Sequence, residues 1–168
     1  MPSIALSCGN FIQIDEADVP LVRQYSWRIR PGAGKNKSYV TRSGSIYLHR
    51  VIAGAGRGDV VDHINGDTMD MRRLNLRITT HAGNAMNQCK KARNNAGSAP
   101  SSRFKGVSID ARYIGRSKPW QVKIRPPGGS RKHVGCFASD VEAAFAYDMA
   151  SLEVHGELGR RNFLPLVR

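Results

Sequence analysis

The chain has 168 residues, with 26 Lys and Arg against 13 Asp and Glu, which gives a formal net charge of +13 at pH 7. This excess favours a polyanionic partner, nucleic acid above all, and the lack of an apolar run long enough to cross a bilayer disfavours a membrane partner. The three cysteines form no C-x-x-C pair, which disfavours both a disulfide framework and a zinc knuckle.

The first half of the chain alternates short apolar runs with turn residues, a pattern typical of small antiparallel strands. It predicts strands at FIQI, SWRIR, SYVTR and SIYLHR, and short helices at DEADVPLVRQY, capped by Asp15 or Asp18, and at LHRVIAGA. Further on, VVDHI and LRITT are predicted strands joined through an NGD turn. Thr80 can then cap a helix over HAGNAMNQCKKA.

The second half begins after a stretch with the composition of a linker, QCKKARNNAGSAPSSR at residues 88 to 103. Three strands are predicted at FKGVSID, WQVKIRP and RKHVGCF. A helix over SDVEAAFAYDMASLEVHG follows, with Ser139 and Glu142 as a capping box and Gly156 at its end. The predicted fold class is α+β, and four aromatic residues are expected in the second core: Trp120, Phe137, Phe145 and Tyr147.

An acid and a histidine stand side by side in VDHINGDTMDMRRLNLRITTHAGNAMNQ, residues 61 to 88. Phosphodiester hydrolysis needs a base, a cation at the phosphate and positive charge to bind the strand. Asp62 is a hard oxygen ligand, and the Asn84 carbonyl could share a magnesium-like ion with it. Because neighbouring side chains of a strand point to opposite sides, Asp62 could reach the metal while His63 reaches the water.

Asp62-His63, INGD, Asn75 in LNLRI and Asn84 together resemble the motif of HNH nucleases, particularly homing-type endonucleases of bacteriophages and bacteria. The resemblance covers residues 1 to 92, and YLHRVIAG resembles the helix that often precedes the motif. It implies a ββα-metal fold with His63 as general base and Asp62 and Asn84 as catalytic ligands of one divalent ion, Mg²⁺ or Mn²⁺. Asn75 would be a structural asparagine, and Asn84 stands where other members carry His.

Basic residues around this motif are candidates for contacts with the DNA backbone. Arg72, Arg73 and Arg77 would be ordinary solvated charges in another protein, but beside a phosphate site we expect backbone contacts. His49 could orient a phosphate or merely pack. The basic residues of the linker region are expected to follow the DNA backbone: Lys90, Lys91 and Arg93.

The segment from FKGVSID to GELGRRNF resembles the ethylene-response-factor-type DNA-binding domain of plant transcription factors, which also occurs fused to HNH nucleases. The framework GCF, EAAFAYDMA and NF carries this resemblance, over residues 103 to 165. It implies three antiparallel strands in a major groove with the helix packed behind, and DNA contacts from Lys105, Lys123, Arg125, Arg131 and His133. Ser108, Asp110 and His133 stand where the plant domains prefer Arg or Trp, so base preferences do not transfer.

The sequence therefore predicts a nuclease domain at 1–92, a basic linker at 93–102 and a DNA-binding domain at 103–168. The predicted function is a metal-dependent endonuclease that cuts double-stranded DNA. The alternative is a DNA-binding regulatory protein with a vestigial nuclease domain, and an RNA-binding protein is a third reading. We expect a monomer or homodimer, and a cytoplasmic location because the N-terminus lacks the features of a secretory signal.

Overall fold

A computed structural model describes residues 3–6, 9–32, 37–43, 45–90, 100–110, 112 and 114–163. The chain divides into two compact units, Met1–Asn84 and Ala85–Arg168. The boundary between them precedes the predicted linker, of which only residues 100–102 are described. Among the described helices, none has the length and apolar character needed to cross a bilayer.

The N-terminal unit is built from small antiparallel sheets and short helices. β1 (Ser3–Ala5) pairs with β2 (Phe11–Gln13), and α1 (Val19–Arg23) precedes a sheet ordered β3 (Arg28–Pro31), β4 (Ser38–Arg42), β5 (Ile46–Tyr47). α2 (Leu48–Ile52) follows directly, and a ribbon then pairs β6 (Val60–His63) with β7 (Leu76–Thr79). α3 (His81–Asn87) begins in this unit and crosses the boundary to the second.

The core of the N-terminal unit gathers apolar residues from most of these elements. Leu48 and Ile52, one turn apart on α2, are both buried, as the helical spacing in LHRVIAGA predicts. The other fully buried apolar side chains are Ile12, Ile14, Val40 and Met71. This core fixes one face of α2 and leaves the ribbon β6–β7 at its edge, with only Val61 and Leu76 packed against it.

Two predicted helix starts have different outcomes in this unit. Thr80 caps α3, since its Oγ1 accepts a hydrogen bond from the Gly83 N–H at 3.1 Å, which confirms the prediction. The prediction that Asp15 or Asp18 caps the helix after FIQI is wrong. Both carboxylates instead accept hydrogen bonds from Arg73, at 2.8 Å to Asp15 and 2.6 Å to Asp18.

The C-terminal unit is a three-stranded antiparallel sheet packed on one helix. The strands β8 (Val107–Ile109), β9 (Trp120–Ile124) and β10 (Lys132–Phe137) lie in the order β10-β9-β8, and α4 (Asp140–His155) packs against all three. The Glu142 N–H donates to Ser139 Oγ at 3.1 Å, and Gly156 ends the helix with a positive φ of 55°. Ser139 is therefore confirmed as the N-cap.

One side of α4 forms the second core, and a glycine allows the chain before β8 to approach it. The buried residues of α4 are Ala143, Ala144, Tyr147, Asp148 and Ser151. At Gly106, a Cβ atom would lie 1.9 Å from the Tyr147 ring, so no larger residue fits. Trp120 and Phe137 pack against this core. The expectation that Phe145 is buried is wrong: it lies outside the buried stripe, is 49% exposed and stacks on Phe163 at 4.5 Å.

Candidate nucleic-acid interface

The ribbon β6–β7 places the predicted catalytic pair at its end, where Asp62 lies opposite Arg77 and His63 opposite Leu76. Both residues are buried, each with 6% of its total surface exposed. Asp62 Oδ2 accepts hydrogen bonds from Arg77 Nε at 3.0 Å and from Arg77 Nη2 at 2.7 Å. The Asp62 carboxylate is therefore paired with the guanidinium of the residue opposite it on the same ribbon.

The loop between β6 and β7 is organised by Asn75. Its side-chain amide donates to the Asp70 carbonyl at 2.8 Å, and its Oδ1 accepts from the Asn65 N–H at 2.9 Å. The Asn65 amide in turn donates to Asp70 Oδ2 at 2.8 Å. Asn75 thus has a structural position that fixes the loop to the ribbon, and Asp70, which the sequence analysis did not single out, is the centre of the same network.

His49 lies against His63 in a cluster of rings. The two imidazole centroids are 5.1 Å apart, and the rings of Tyr39 and Tyr47 lie 5.6 and 5.5 Å from His49. Burial, with a smaller contribution from His63, lowers the pKa of His49 to about 4, so this side chain is neutral at pH 7. Burial also lowers the pKa of His63. A buried, uncharged ring has no ionic attraction for a phosphate, and a contact of His49 with DNA stays a prediction.

The three arginines predicted to contact DNA are bound instead by aspartates of the same unit. Their partners lie at 2.5, 2.6 and 2.7 Å in the pairs Arg72–Asp70, Arg73–Asp18 and Arg77–Asp62. Arg77 is mostly buried, whereas 58% of the Arg73 side chain is exposed. Each of these charges is therefore partly balanced within the unit, and contacts of the three arginines with a DNA backbone stay predictions.

The carboxylate predicted to bind a divalent ion is paired with a guanidinium. A cation on Asp62 Oδ2 would lie beside the Arg77 guanidinium, which repels it. The described residues contain no group of three or more His, Cys, Asp or Glu side chains placed to bind a metal ion. Asn84 is partly buried on α3, where its N–H donates to the Thr80 carbonyl. The Mg²⁺ or Mn²⁺ site stays a prediction, and no chemistry below depends on it.

In the C-terminal unit, the side of the sheet that faces away from α4 carries basic side chains. Lys123 on β9 is exposed and lies opposite His133 on β10, which is also exposed. Arg125 follows β9, and Arg131 precedes β10, both exposed. Because Val122 and Ile124 point into the core, the alternation of β9 turns Lys123 outward. These four residues, Lys123, Arg125, Arg131 and His133, are here called the basic face.

Two other predicted contacts do not lie on the basic face. Lys105 precedes β8 and is partly buried, and its ammonium donates to the carbonyls of Met86 and Gln88 at 2.5 and 2.7 Å. Lys90 donates to the Val107 carbonyl at 2.5 Å. Both lysines therefore have structural hydrogen bonds inside the C-terminal unit. The DNA contacts expected from Lys105 on the sheet and from Lys90 in the linker region stay predictions. Lys91 and Arg93 lie outside the described residues.

An acidic side chain lies next to the basic face. Asp110, just after β8, accepts hydrogen bonds from Arg112 Nε at 3.0 Å and Nη2 at 2.6 Å. The Arg112 hydrogen bonds lower the pKa of Asp110 to about 2, with a smaller contribution from Lys123. Asp70 and Arg72 have the same spacing, so an Asp two residues before an Arg was a signal that could have revealed both pairs.

No protein-family model matches the chain. A segment of 49 residues is 47% identical to the putative dehydration-responsive element-binding protein 2H of Arabidopsis thaliana. The segment is 29% of this chain and spans 31% of the length of the plant protein. The match supports the resemblance to a plant DNA-binding domain, and does not extend to the HNH resemblance.

This comparison overturns the prediction of an enzyme. The plant protein is named for binding a response element, which points to a non-enzyme, and nothing in the comparisons supports a nuclease. The prediction of an HNH DNA endonuclease is therefore wrong.

Proposed function

We propose that the chain is a regulatory protein that binds double-stranded DNA through the basic face, and that its N-terminal unit is a vestigial nuclease domain. The observation that carries the proposal is the outward side of the β8–β10 sheet, where Lys123 and His133 lie side by side. A pleated sheet with basic side chains fits a major groove while its other side packs on a helix. The similarity to a response-element-binding protein supports the same partner.

The rigidity of the sheet supports this role. The His155 ring at the end of α4 lies 2.7 Å, through Nε2, from the Arg125 carbonyl, which links the end of β9 to the helix. Val107 and Val122, fully buried, attach β8 and β9 to α4. A basic face on a braced sheet loses little conformational freedom when it binds, which favours affinity.

The proposal is tested by fluorescence anisotropy with a labelled DNA duplex and the full chain. The double variant Lys123→Gln, Arg125→Gln should bind about tenfold more weakly than wild type, since contacts to phosphates or base edges are lost. The matched control is Arg23→Gln, Arg57→Gln, which removes the same charge from exposed positions of the N-terminal unit. Equal losses in both double variants would contradict the basic face.

Two further measurements separate the competing functions. An RNA of the same length should displace the duplex poorly, and equal competition would favour an RNA-binding protein. Supercoiled plasmid incubated with the protein and Mg²⁺ should remain supercoiled. Nicking that copurifies with the wild-type chain and disappears in His63→Ala would refute the assignment of the N-terminal unit as vestigial.

A further inference from the structure

A pocket of about 250 Å³ lies in the C-terminal unit, and none of its lining residues belongs to the basic face. Three segments that are distant in sequence form it: residues 89–90 after α3, residues 103–105 before β8, and residues 160–162 after α4. The sequence did not predict that these three segments form one site, because only the fold brings them together.

The walls of the pocket are tied together by hydrogen bonds. The Arg160 N–H donates to the Met86 carbonyl at 3.1 Å, and the Lys105 ammonium donates to the same oxygen. The Asn162 side chain accepts from the Lys105 N–H at 2.8 Å and donates to the Lys105 carbonyl at 3.2 Å. The three segments around the pocket are therefore held in place by hydrogen bonds within the folded unit.

The lining of the pocket is strongly and uniformly basic. Of the eight described residues that line it, none is acidic, three are uncharged, and five are basic: Lys90, Arg103, Lys105, Arg160 and Arg161. Burial lowers the pKa of Lys105 to about 8, and Arg160 contributes in the same direction. Cations that repel one another around a concave surface create a positive potential that an anion would relieve.

Arg161 is the most informative residue of this lining. It exposes only 6% of its surface, and within the described part of the chain its Nε and Nη2 atoms have no hydrogen-bond partner. A buried guanidinium without an acceptor is costly, so an oxyanion ligand would stabilise it. Nε and Nη2 form one edge of the guanidinium, and such an edge can bind two oxygens of one phosphate. Both atoms are closed to solvent here, so the side chain has to turn towards the pocket when the ligand enters.

We propose that this pocket binds one phosphate group, with Arg161 as its bidentate ligand and the surrounding cations as its electrostatic frame. The phosphate could belong to the backbone of bound DNA or to a free phosphate compound, which present the same tetrahedral oxyanion. Assignment to the DNA backbone rests on the proposed function. Phosphate binding itself does not.

The first experiment uses inorganic phosphate as the probe and the thermal midpoint of the C-terminal unit as the readout. A Trp27→Phe background leaves Trp120 as the reporter, since the chain has two tryptophans. Phosphate should raise the midpoint above that in chloride of equal ionic strength, because it binds only the folded state. Arg161→Gln should abolish the difference and Arg103→Gln, at an exposed lining residue, should reduce it. Arg23→Gln, an exposed arginine of the other unit, should leave it unchanged.

The second experiment measures duplex binding by the same variants across a salt series. If the phosphate is a DNA phosphate, Arg161→Gln should weaken binding about tenfold and lower the slope of log K against log salt by about one. If Arg161→Gln loses the stabilisation by phosphate but binds the duplex no more weakly than Arg23→Gln does, the ligand is a free phosphate compound. If Arg161→Gln does not fold, Arg103→Gln carries both tests.

Two outcomes distinguish this proposal from the proposed function. Phosphate stabilisation without any duplex binding by wild type would remove the DNA function and leave the pocket as a phosphate site. The opposite result has two parts: phosphate does not stabilise wild type, and Arg161→Gln and Arg103→Gln weaken duplex binding no more than Arg23→Gln does. This result would overturn the proposed phosphate site and leave the DNA function intact.

Discussion

Arginines and aspartates of the N-terminal unit neutralise one another at close range. Asp62 and Arg77 form the most buried of these pairs, with 7% and 16% of their side chains exposed. A buried pair adds little net stability compared with apolar residues, but loss of one partner leaves the other charged and desolvated. The pair therefore makes the ribbon β6–β7 sensitive to substitution at either position.

Arg77→Met should destabilise the N-terminal unit by about 3 to 5 kcal/mol, because Asp62 is left buried without its counterion. The measurement is urea unfolding followed by Trp27 fluorescence in a Trp120→Phe background. Arg23→Met is the control, since it replaces an exposed arginine of the same unit. A loss in Arg77→Met no larger than in Arg23→Met would show that the Asp62–Arg77 pair has no special structural importance.

Acidification should destabilise the N-terminal unit through His49. Its pKa of about 4 in the folded state is below the ordinary value of 6.5, so the unfolded chain takes up the proton first. Stability is therefore complete above pH 6.5 and falls as the pH decreases towards 4, by about 3 kcal/mol for this group. The measurement is the free energy of unfolding at pH 7, 6, 5 and 4.5, obtained from Trp27 fluorescence, which gives the slope of stability against pH.

His49→Phe should flatten this pH dependence, because the ring packing with Tyr39 and Tyr47 is kept while the titrating group is removed. His63, whose pKa is also lowered by burial, should account for the remaining slope. His81→Gln, at an exposed position at the start of α3, is the control and should leave the slope unchanged. An unchanged slope in His49→Phe would exclude His49 as its source.

At the scale of elements, α4 and the sheet meet through one close contact at Gly106. Gly106→Ala should destabilise the C-terminal unit severely, since its Cβ would overlap the Tyr147 ring at 1.9 Å. Gly115→Ala is a close control, because φ is +83° there and +77° at Gly106, yet nothing lies within 4 Å of its Cβ. It should cost only the backbone strain, about 1 kcal/mol.

Unfolding of the two glycine variants, followed by Trp120 fluorescence in a Trp27→Phe background, separates steric overlap from strain. Similar losses in both would mean that the contact between Gly106 and Tyr147 adjusts easily. In that case the close packing of α4 on the chain before β8 would not determine the stability of the basic face.

Local patterns predicted the elements better than the partners. The sequence could predict the strands at SYVTR and WQVKIRP and the helix start at Ser139, because alternation and capping depend on neighbouring residues. The Arg73–Asp18 pair joins residues 55 positions apart, so no local rule could show that Asp18 binds a guanidinium and does not cap a helix. The same limit applies to the phosphate pocket, whose segments extend from Cys89 to Asn162.

For the molecule as a whole, the net charge overstates what DNA can contact. The formal value is +13, but Arg72, Arg73, Arg77 and Arg112 are each bound to an aspartate. In the described part of the C-terminal unit, by contrast, the basic face and the phosphate pocket bring positive side chains to two separate surfaces. We therefore expect the phosphate contacts to come mainly from that unit.

This distribution leads to a prediction about salt. If the four residues of the basic face and the pocket each engage one phosphate, about five in all, duplex affinity should fall by roughly 500-fold between about 50 and 200 mM salt, because counterions are released on binding. Anisotropy titrations with one duplex at four salt concentrations give the slope of log K against log salt. Arg73→Gln, whose charge is already balanced by Asp18, should leave the slope unchanged. Lys123→Gln should lower it by about one. A nearly flat response in wild type, or equal effects of both substitutions, would show that affinity does not depend on the basic side chains of the C-terminal unit.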